Sequence, residues 1–326
     1  MSDRTGPTIS AVVTAYQAER WIAETLESIL GQTRPPDEVV VVDDGSTDGT
    51  ATELERFANR IRVIRQPNGG YQAGMNRAIH EARGDFVALC GADDTWEPRK
   101  LEWQEEAIRE HPQVDVFSAH AVFFGRFEAE HARPPVGGAI DGVDMRESLF
   151  RVCWISTSSV VVRRALFERM GPFMEHFMCE DWHYWMQCLR AGVRFFYDPR
   201  LMVGYRQHDG NMTNDRLTMR AAVSLVHFWH ADLVNDRRLV RAVHADDLFR
   251  IARLLVEEGR LHEARRTFRR SLRYASGASA SANLRALTWI AVLSMPVSAQ
   301  EHVGRMLTGA SRALDSLRGG RHPSLP

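Results

Sequence analysis

The sequence predicts an α/β protein, a mainly parallel sheet with helices on both faces followed by an α-helical extension. Three observations carry this. Short β-branched runs alternate with helix-periodic stretches between residues 9 and 94, a βαβαβαβ rhythm. Val39–Val42 is an unbroken valine run, and an apolar strand without alternation suits a sheet covered on both faces. Beyond about residue 216 only the helical period remains.

Ile9–Ala15 reads as the first strand, and Trp21, Ile22, Leu26, Ile29 and Leu30 set a helical period behind Tyr16–Glu19. Pro35-Pro36 breaks the chain before Val39–Val42, which ends in Asp43-Asp44-Gly45-Ser46. Ser46-Thr47-Asp48 offers N-caps for a helix through Phe57, and Ile61–Arg65 is the third strand. Asn68-Gly69-Gly70 is a turn, Ala73–Arg83 a helix, and Asp85–Leu89 a strand running into Gly91-Ala92-Asp93-Asp94. A helix at Arg99–His111 and a strand near Val114–Phe124 follow, then residues 126–144, whose Pro134-Pro135 and Gly137-Gly138 predict a loop. Val160–Val162 is a strand, Met178–Ala191 an aromatic-rich helix, and Leu201–Tyr205 a strand leading to Arg206-Gln207-His208. In the tail, Leu248, Ala252, Leu255, Leu261, Ala264, Phe268 and Leu272 fit two helices around Glu258-Gly259-Arg260, resembling one tetratricopeptide unit.

With 326 residues, 44% apolar and 25% charged, the chain can bury a sizeable core, and the change of character predicts domains at 1–215 and 216–326. The net charge of −1 argues against a nucleic-acid partner. Its distribution is uneven: residues 216–326 hold 18 Arg against 9 acidic residues, leaving an acidic front and a basic tail. Cys90, Cys153, Cys179 and Cys188 have no CxxC spacing and read as reduced thiols, which predicts a cytoplasmic protein. MSDRTGPTIS lacks a basic start and an apolar stretch, so no signal peptide is expected. Leu284–Val297 is interrupted by Arg285 and Pro296, and is short of the roughly 20 residues a span needs. Arg265, Arg266, Arg269 and Arg270 predict either peripheral contact with the anionic cytoplasmic face of a membrane or a solvated helix face.

Ligands of open parallel sheets sit beyond the carboxyl ends of the strands, which here carry Thr14–Glu19, Asp43-Asp44, Gln66–Gly70 and Asp93-Asp94. Adjacent carboxylates at Asp93-Asp94 suit a hard divalent cation that shares phosphate oxygens, or else a solvated turn. Glu180-Asp181 opens a helix, where acids are favoured by the dipole. Among Trp154, Trp182, Tyr184 and Trp185 a carboxylate can also serve as general base at a carbohydrate site. His208 can meet metal or phosphate, or be surface. No GxGxxG follows the first strand, which argues against a dinucleotide-dependent dehydrogenase.

Thr14-Ala15-Tyr16, VVVVDDGS at Val39–Ser46, Asn68–Asn76, GDFVALCGADD at Gly84–Asp94, Glu180-Asp181-Trp182 and YRQHDGNMT at Tyr205–Thr213 stand in a familiar order. Over residues 7–215 they resemble the family 2 inverting glycosyltransferases. The resemblance implies the A-type glycosyltransferase fold, a Rossmann-like mixed sheet, and a nucleoside diphosphate sugar as donor. It further implies a divalent cation, Mn or Mg, a saccharide or lipid-linked glycan acceptor, and a place in polysaccharide biosynthesis. By position, Thr14, Tyr16, Glu19, Asp43 and Asp44 match residues that hold the donor nucleotide, and Asn68, Gly74 and Asn76 match the segment lining its site. Asp93, beside Asp94, matches the metal aspartate, His208 a histidine closing over metal and diphosphate, and Asp181 the catalytic base. Trp154 is expected, and Glu180 and Trp182 are implied, on the acceptor side. Gly91 stands where an aspartate is usual, Met75 where arginine often precedes Asn76, and Met174 where aspartate is frequent. The alternative is a nucleotide-sugar-binding or scaffolding descendant whose chemistry has lapsed.

Overall fold

The computed structural model describes residues 6–293, apart from 127, 135, 136, 141 and 276–279. Pro135, and the tail from 294 onward with Pro296, therefore lie outside the described residues. Two compact units make up the chain, parting between His208 and Asp209.

In the first unit β1 (Ile9–Ala15), α1 (Ile22–Leu30), β2 (Glu38–Asp43), α2 (Thr50–Glu55), β3 (Arg62–Arg65), α3 (Tyr71–Glu81) and β4 (Phe86–Gly91) alternate as their patterns predict. Next come β5 (Thr95–Trp96), α4 (Lys100–Glu110), β6 (Val116–Gly125), β7 (Ala129–Glu130), β8 (Gly138–Ile140) and α5 (Gly142–Arg151). A single 3-10 turn at Thr157–Ser159 leads into β9 (Val161–Arg163) and α6 (Arg164–Met170). The unit closes with α7 (Glu180–Arg190) and the long β10 (Phe195–Gln207).

The expected loop at 126–144 is thus partly structured. Strands of two or three residues carry no period of their own. They exist because β6 offers β7 an antiparallel edge and β10 offers one to β8. The last strand also begins earlier than Leu201, since Phe195-Phe196-Tyr197 pair with β6 before Asp198-Pro199-Arg200. A shift in register between Asp198 and Leu201 absorbs the proline, and Arg200 folds back onto the Asp198 carboxylate.

Strand order is β3-β2-β1-β4-β9-β6-β10-β5. Neighbours β3, β2, β1 and β4 run parallel, as do β6 and β10, and β9 lies antiparallel between β4 and β6. The carboxyl ends of β1, β2, β3, β4, β6 and β10 therefore share one edge of the sheet. The amino end of β9, with the turn before it, falls on that same edge.

All seven residues of β1 are buried, as are Val39–Val42 and every residue of β4. Each fully buried valine, leucine or isoleucine side chain contributes about 1.5–3 kcal/mol, so the strands specify the sheet core. The four cysteines are free thiols. Helix α3 approaches β1 so closely that a Cβ on Gly74 would lie 2.3 Å from Thr14 Cγ2.

The second unit is helical: α8 (Arg216–His230), α9 (Arg237–Glu257), α10 (Leu261–Ala275) and α11 (Ala280–Val292). Asp215 caps α8 through the Thr218 amide, and Asp236 caps α9 through the Arg238 and Leu239 amides. Gly259, at φ 74°, makes the reversal between α9 and α10 that the sequence predicts. Phe268 stacks on Trp289 and meets Phe249 edge-on in the core of this unit. Among the described residues no helix is long and apolar enough to cross a membrane.

Gly74→Ala is expected to destabilise the protein by about 1–3 kcal/mol in denaturant unfolding, because a packed strand resists the added methyl. Thr14→Ser in the same chain deletes the opposing methyl and is expected to restore most of that loss. Additive losses in the double variant would show that the contact is not the cause.

Candidate active site

The shared edge assembles residues that are far apart in sequence. At its centre is the turn Thr157–Ser159, where two neighbouring hydroxyls hold two different acidic pairs. Thr157 Oγ1 donates to Asp181 Oδ2 at 2.8 Å, and Ser158 Oγ donates to Asp94 Oδ2 at 2.5 Å. The turn itself is clamped from α4 and β5: Gln104 Nε2 donates to the Ser159 carbonyl and Trp96 Nε1 to that of Ser158.

Asp93 and Asp94 follow β4 and differ in their partners. Asp94 is 2% exposed, and its second oxygen accepts the Arg206 amide at 2.9 Å. It is a tie between β4, β9 and β10, so its expected place among the metal ligands is corrected to a structural one. Burial first, then the Asp93 charge, push the Asp94 carboxyl well above the ordinary range. Asp93 instead faces the cleft, with its Oδ2 2.9 Å from His208 Nε2. Arg206 locks this corner, donating to the Asp93 carbonyl at 2.8 Å and to Glu24 at 2.5 Å, with its guanidinium over Trp21. Trp21 also stacks on the His208 ring. A Cβ on Gly91 would lie 2.9 Å from Asp93 Oδ1, so an aspartate there would require Asp93 to turn aside.

Asp181 receives two hydrogen bonds, from Thr157 and from the Trp182 amide at 2.6 Å. Glu180 receives one side-chain bond, from Gln72 Nε2 at 3.1 Å. Burial and then the Asp181 charge push Glu180 upward, whereas burial raises Asp181 against the pull of Thr157 and the Trp182 amide. Adjacent buried carboxylates resist ionising together, and the richer donor set assigns the negative charge to Asp181. Tyr71 and Tyr205 sit between the acidic pairs. Burial raises both phenols well above the ordinary value, followed by the charges of Glu180, Asp181 and Asp94 for Tyr71 and of Asp94, Asp93, Asp181 and Glu180 for Tyr205.

On the opposite flank Tyr16 is 52% exposed at the end of β1. Exposed Glu19 ties the loops after β1 and β2 together by accepting the Gly49 amide at 2.7 Å. Asp43 and Asp44 are buried. Asp43 accepts the Ser46 amide, and Asp44 accepts Gln66 Nε2 and the amides of Gly69 and Gly70, which shapes the loop containing exposed Asn68. Asn76 clasps the segment before α7 by exchanging hydrogen bonds with the Phe173 backbone, both at 2.9 Å.

Two acceptor expectations are corrected. Trp154 is 1% exposed and packs edge-on against Tyr197, and Trp182 is 4% exposed with Nε1 bonded to the Leu149 carbonyl. A ring enclosed on both faces offers no platform to a sugar, so these belong to the core. The reading from sequence passed over Arg206, Gln72, Thr157 and Ser158. Arg206 stands two residues before His208 and had a signal; the other three become visible only when β9 and α3 bring them to the acids.

Residues 10–171 match the family model described as Glycosyl transferase family 2. The chain belongs to glycosyltransferase family 2. This glycosyltransferase is 34% identical over 120 residues to TuaG of Bacillus subtilis, named for teichuronic acid biosynthesis, a match covering 36% of the chain and 48% of TuaG. Its fold is shared with the crystal structure of S. aureus TarS 1–349 in complex with UDP-GlcNAc, at TM-score 0.63 and 19% identity over 88% and 90% of the two chains. A mannosyltransferase of Pyrobaculum calidifontis, in complex with GDP-Man and Mn2+, superposes at TM-score 0.56 and 18% identity over 96% and 87%. Against relatives from Rickettsia typhi and Mycobacterium bovis the chain spans 67% and 62% of their length. The expected A-type fold of the family 2 enzyme, with its helical extension, stands.

Carboxyl titration followed by NMR is expected to place Asp181 above the ordinary Asp value of about 3.9. Thr157→Val, by removing a donor to the ionised form, is expected to raise it further, and Thr157→Ser to bring it back. An unchanged value in Thr157→Val would break the assigned contact.

Proposed function

We propose that this family 2 glycosyltransferase transfers a sugar, with inversion, from a nucleoside diphosphate donor to a hydroxyl of a saccharide or lipid-linked glycan. Asp181 is the general base. The observation that carries the proposal is that one turn holds both Asp181 and Asp94, and that Asp93, next to Asp94, pairs with His208. The nucleotide-sugar complexes of the two solved neighbours support the donor class.

Asp93 and His208 offer one carboxylate and one imidazole toward the cleft, a donor set that fits a divalent cation, Mn or Mg, completed by diphosphate oxygens. Among the described residues no three His, Cys, Asp or Glu side chains gather to hold a metal by themselves. Such a cation supplies charge neutralisation for the departing diphosphate. Asp181 takes the proton of the incoming hydroxyl, which approaches from the side opposite the diphosphate. Glu180, pushed upward and bonded to Gln72, orients the acceptor as a neutral carboxyl. Tyr16, Glu19 and Asn68 contact the nucleotide. Thr14, Asp43, Asp44, Gly74 and Asn76 set the walls they stand on. Residues 1–215 form the catalytic domain and 216–326 a basic helical domain that places the enzyme peripherally on the cytoplasmic face of a membrane.

Asp181→Asn is expected to keep donor binding and to lose about 10²–10⁴-fold in transfer, the usual contribution of a positioned base. Wild-type transfer by that variant would refute the base. Transfer should also fall as pH drops through the raised Asp181 value, because the base works only when ionised. Thermal unfolding tests the donor site: a nucleoside diphosphate at 100 times its Kd adds about 2.7 kcal/mol. That stabilisation should need Mn2+ or Mg2+, and Asp93→Asn or His208→Ala should remove the metal requirement together with the gain. No stabilisation by any nucleotide, and no release of nucleoside diphosphate from a sugar donor, would mark a lapsed enzyme.

A further inference from the structure

The second unit carries a groove of about 570 Å³ between α9 and α10, lined by Arg241, Leu248, Arg270, Arg273 and Tyr274. Arg241 spans it, reaching the Arg273 carbonyl at 3.4 Å. The carboxylates of α9 and α10 are engaged elsewhere: Asp246 by Arg250, Asp247 by His227, Glu257 by Arg216, and Glu258 and Glu263 by Arg260. Three guanidinium groups line this open groove, a lining whose charge favours anions.

Beside the groove lies an apolar stripe. Leu225, Phe228 and Trp229 stand at i, i+3 and i+4 on α8 and are 42%, 65% and 39% exposed, while Ala222, Val223, Val226, His227 and His230 turn inward. Phe228 connects to the groove through rings, 6.3 Å to His244 and from there 5.4 Å to Tyr274. Exposed aromatic side chains beside arginines match the chemistry of a bilayer interface, where aromatic rings occupy the headgroup layer and guanidinium groups meet lipid phosphates. A second copy of the same face would set arginine groove against arginine groove, so charge complementarity selects a polyanionic surface rather than self-association.

We infer that the α9–α10 groove and the α8 stripe together form a docking surface for an anionic lipid bilayer. Arg241, Arg270 and Arg273 bind lipid phosphates, and Phe228, Trp229 and Tyr274 enter the headgroup layer. The inference rests on the peripheral-membrane reading above and gives it a defined face, distinct from a general attraction by every arginine of α10.

The test is co-sedimentation of the full chain with vesicles of phosphatidylglycerol and phosphatidylcholine, and with phosphatidylcholine alone. Binding is expected to the anionic vesicles only, and to weaken with salt. Arg270→Glu with Arg273→Glu should weaken partitioning on the order of 100-fold, since each basic residue near such a surface contributes about one factor of five and reversal adds repulsion. Arg266→Glu with Arg269→Glu, equally charged and exposed on the same helix but outside the groove, should weaken it far less. Phe228→Ser should cost about tenfold at a salt concentration where the charge contribution is screened. Equal losses in the two double variants would overturn the defined face while leaving membrane contact intact. Failure of the wild-type chain to prefer anionic vesicles would overturn both. In either case nucleotide-dependent thermal stabilisation of the same preparations reports on the glycosyltransferase reading separately, and their unfolding curves show whether each variant is folded.

Discussion

The site depends on the placement of β9, an antiparallel strand between β4 and β6. Because β9 runs against β4 and β6, the turn that enters it falls at the carboxyl edge, where the other strands deliver their functional ends. Thr157 and Ser158 then hold Asp181 and Asp94 from adjacent positions. A charge-assisted hydrogen bond to a carboxylate is both stronger and more directional than a neutral one. Hydrogen bonds from one clamped turn thus fix the spacing between Asp181 and Asp94.

A division of labour runs through the acidic pairs. In Asp93-Asp94 the buried member knits strands together and the cleft-facing member meets His208. Asp44 is likewise spent on the amides of Gly69 and Gly70, so its neighbourhood rather than its charge reaches the donor side. In Glu180-Asp181 the hydrogen bonds differ, two reaching Asp181 and one side-chain bond reaching Glu180. Burying charge is costly unless each lone pair finds a donor, and in Asp93-Asp94 the buried Asp94 has donors on both oxygens. Adjacent acids in a sequence therefore signal a site while concealing which of the two works in it.

The second unit is held by apolar packing of Phe249, Phe268 and Trp289 and by helix caps at Asp215 and Asp236. None of this requires an arginine-rich surface. The cationic groove is thus a property added to the bundle rather than demanded by it, and it lies beside an exposed apolar stripe on α8.

Sequence by itself determined the order of strands and helices from Ile9 to Asp94 and the Gly259 reversal in the tail, and it singled out Asp93, Asp181 and His208 as candidates for one site. These are local matters: buried strands need uninterrupted apolar runs, reversals need glycine, and chemistry needs particular residue types at strand and helix ends. Tertiary structure alone decided three others. Short β7 and β8 exist only through pairing with β6 and β10. Trp154 and Trp182 are core rather than sugar platforms, because burial is a property of all surrounding elements and aromatic composition is the same in either place. The holding roles of Thr157, Ser158, Gln72 and Arg206 arise from contacts between residues 24 to 182 positions apart, which no local pattern encodes.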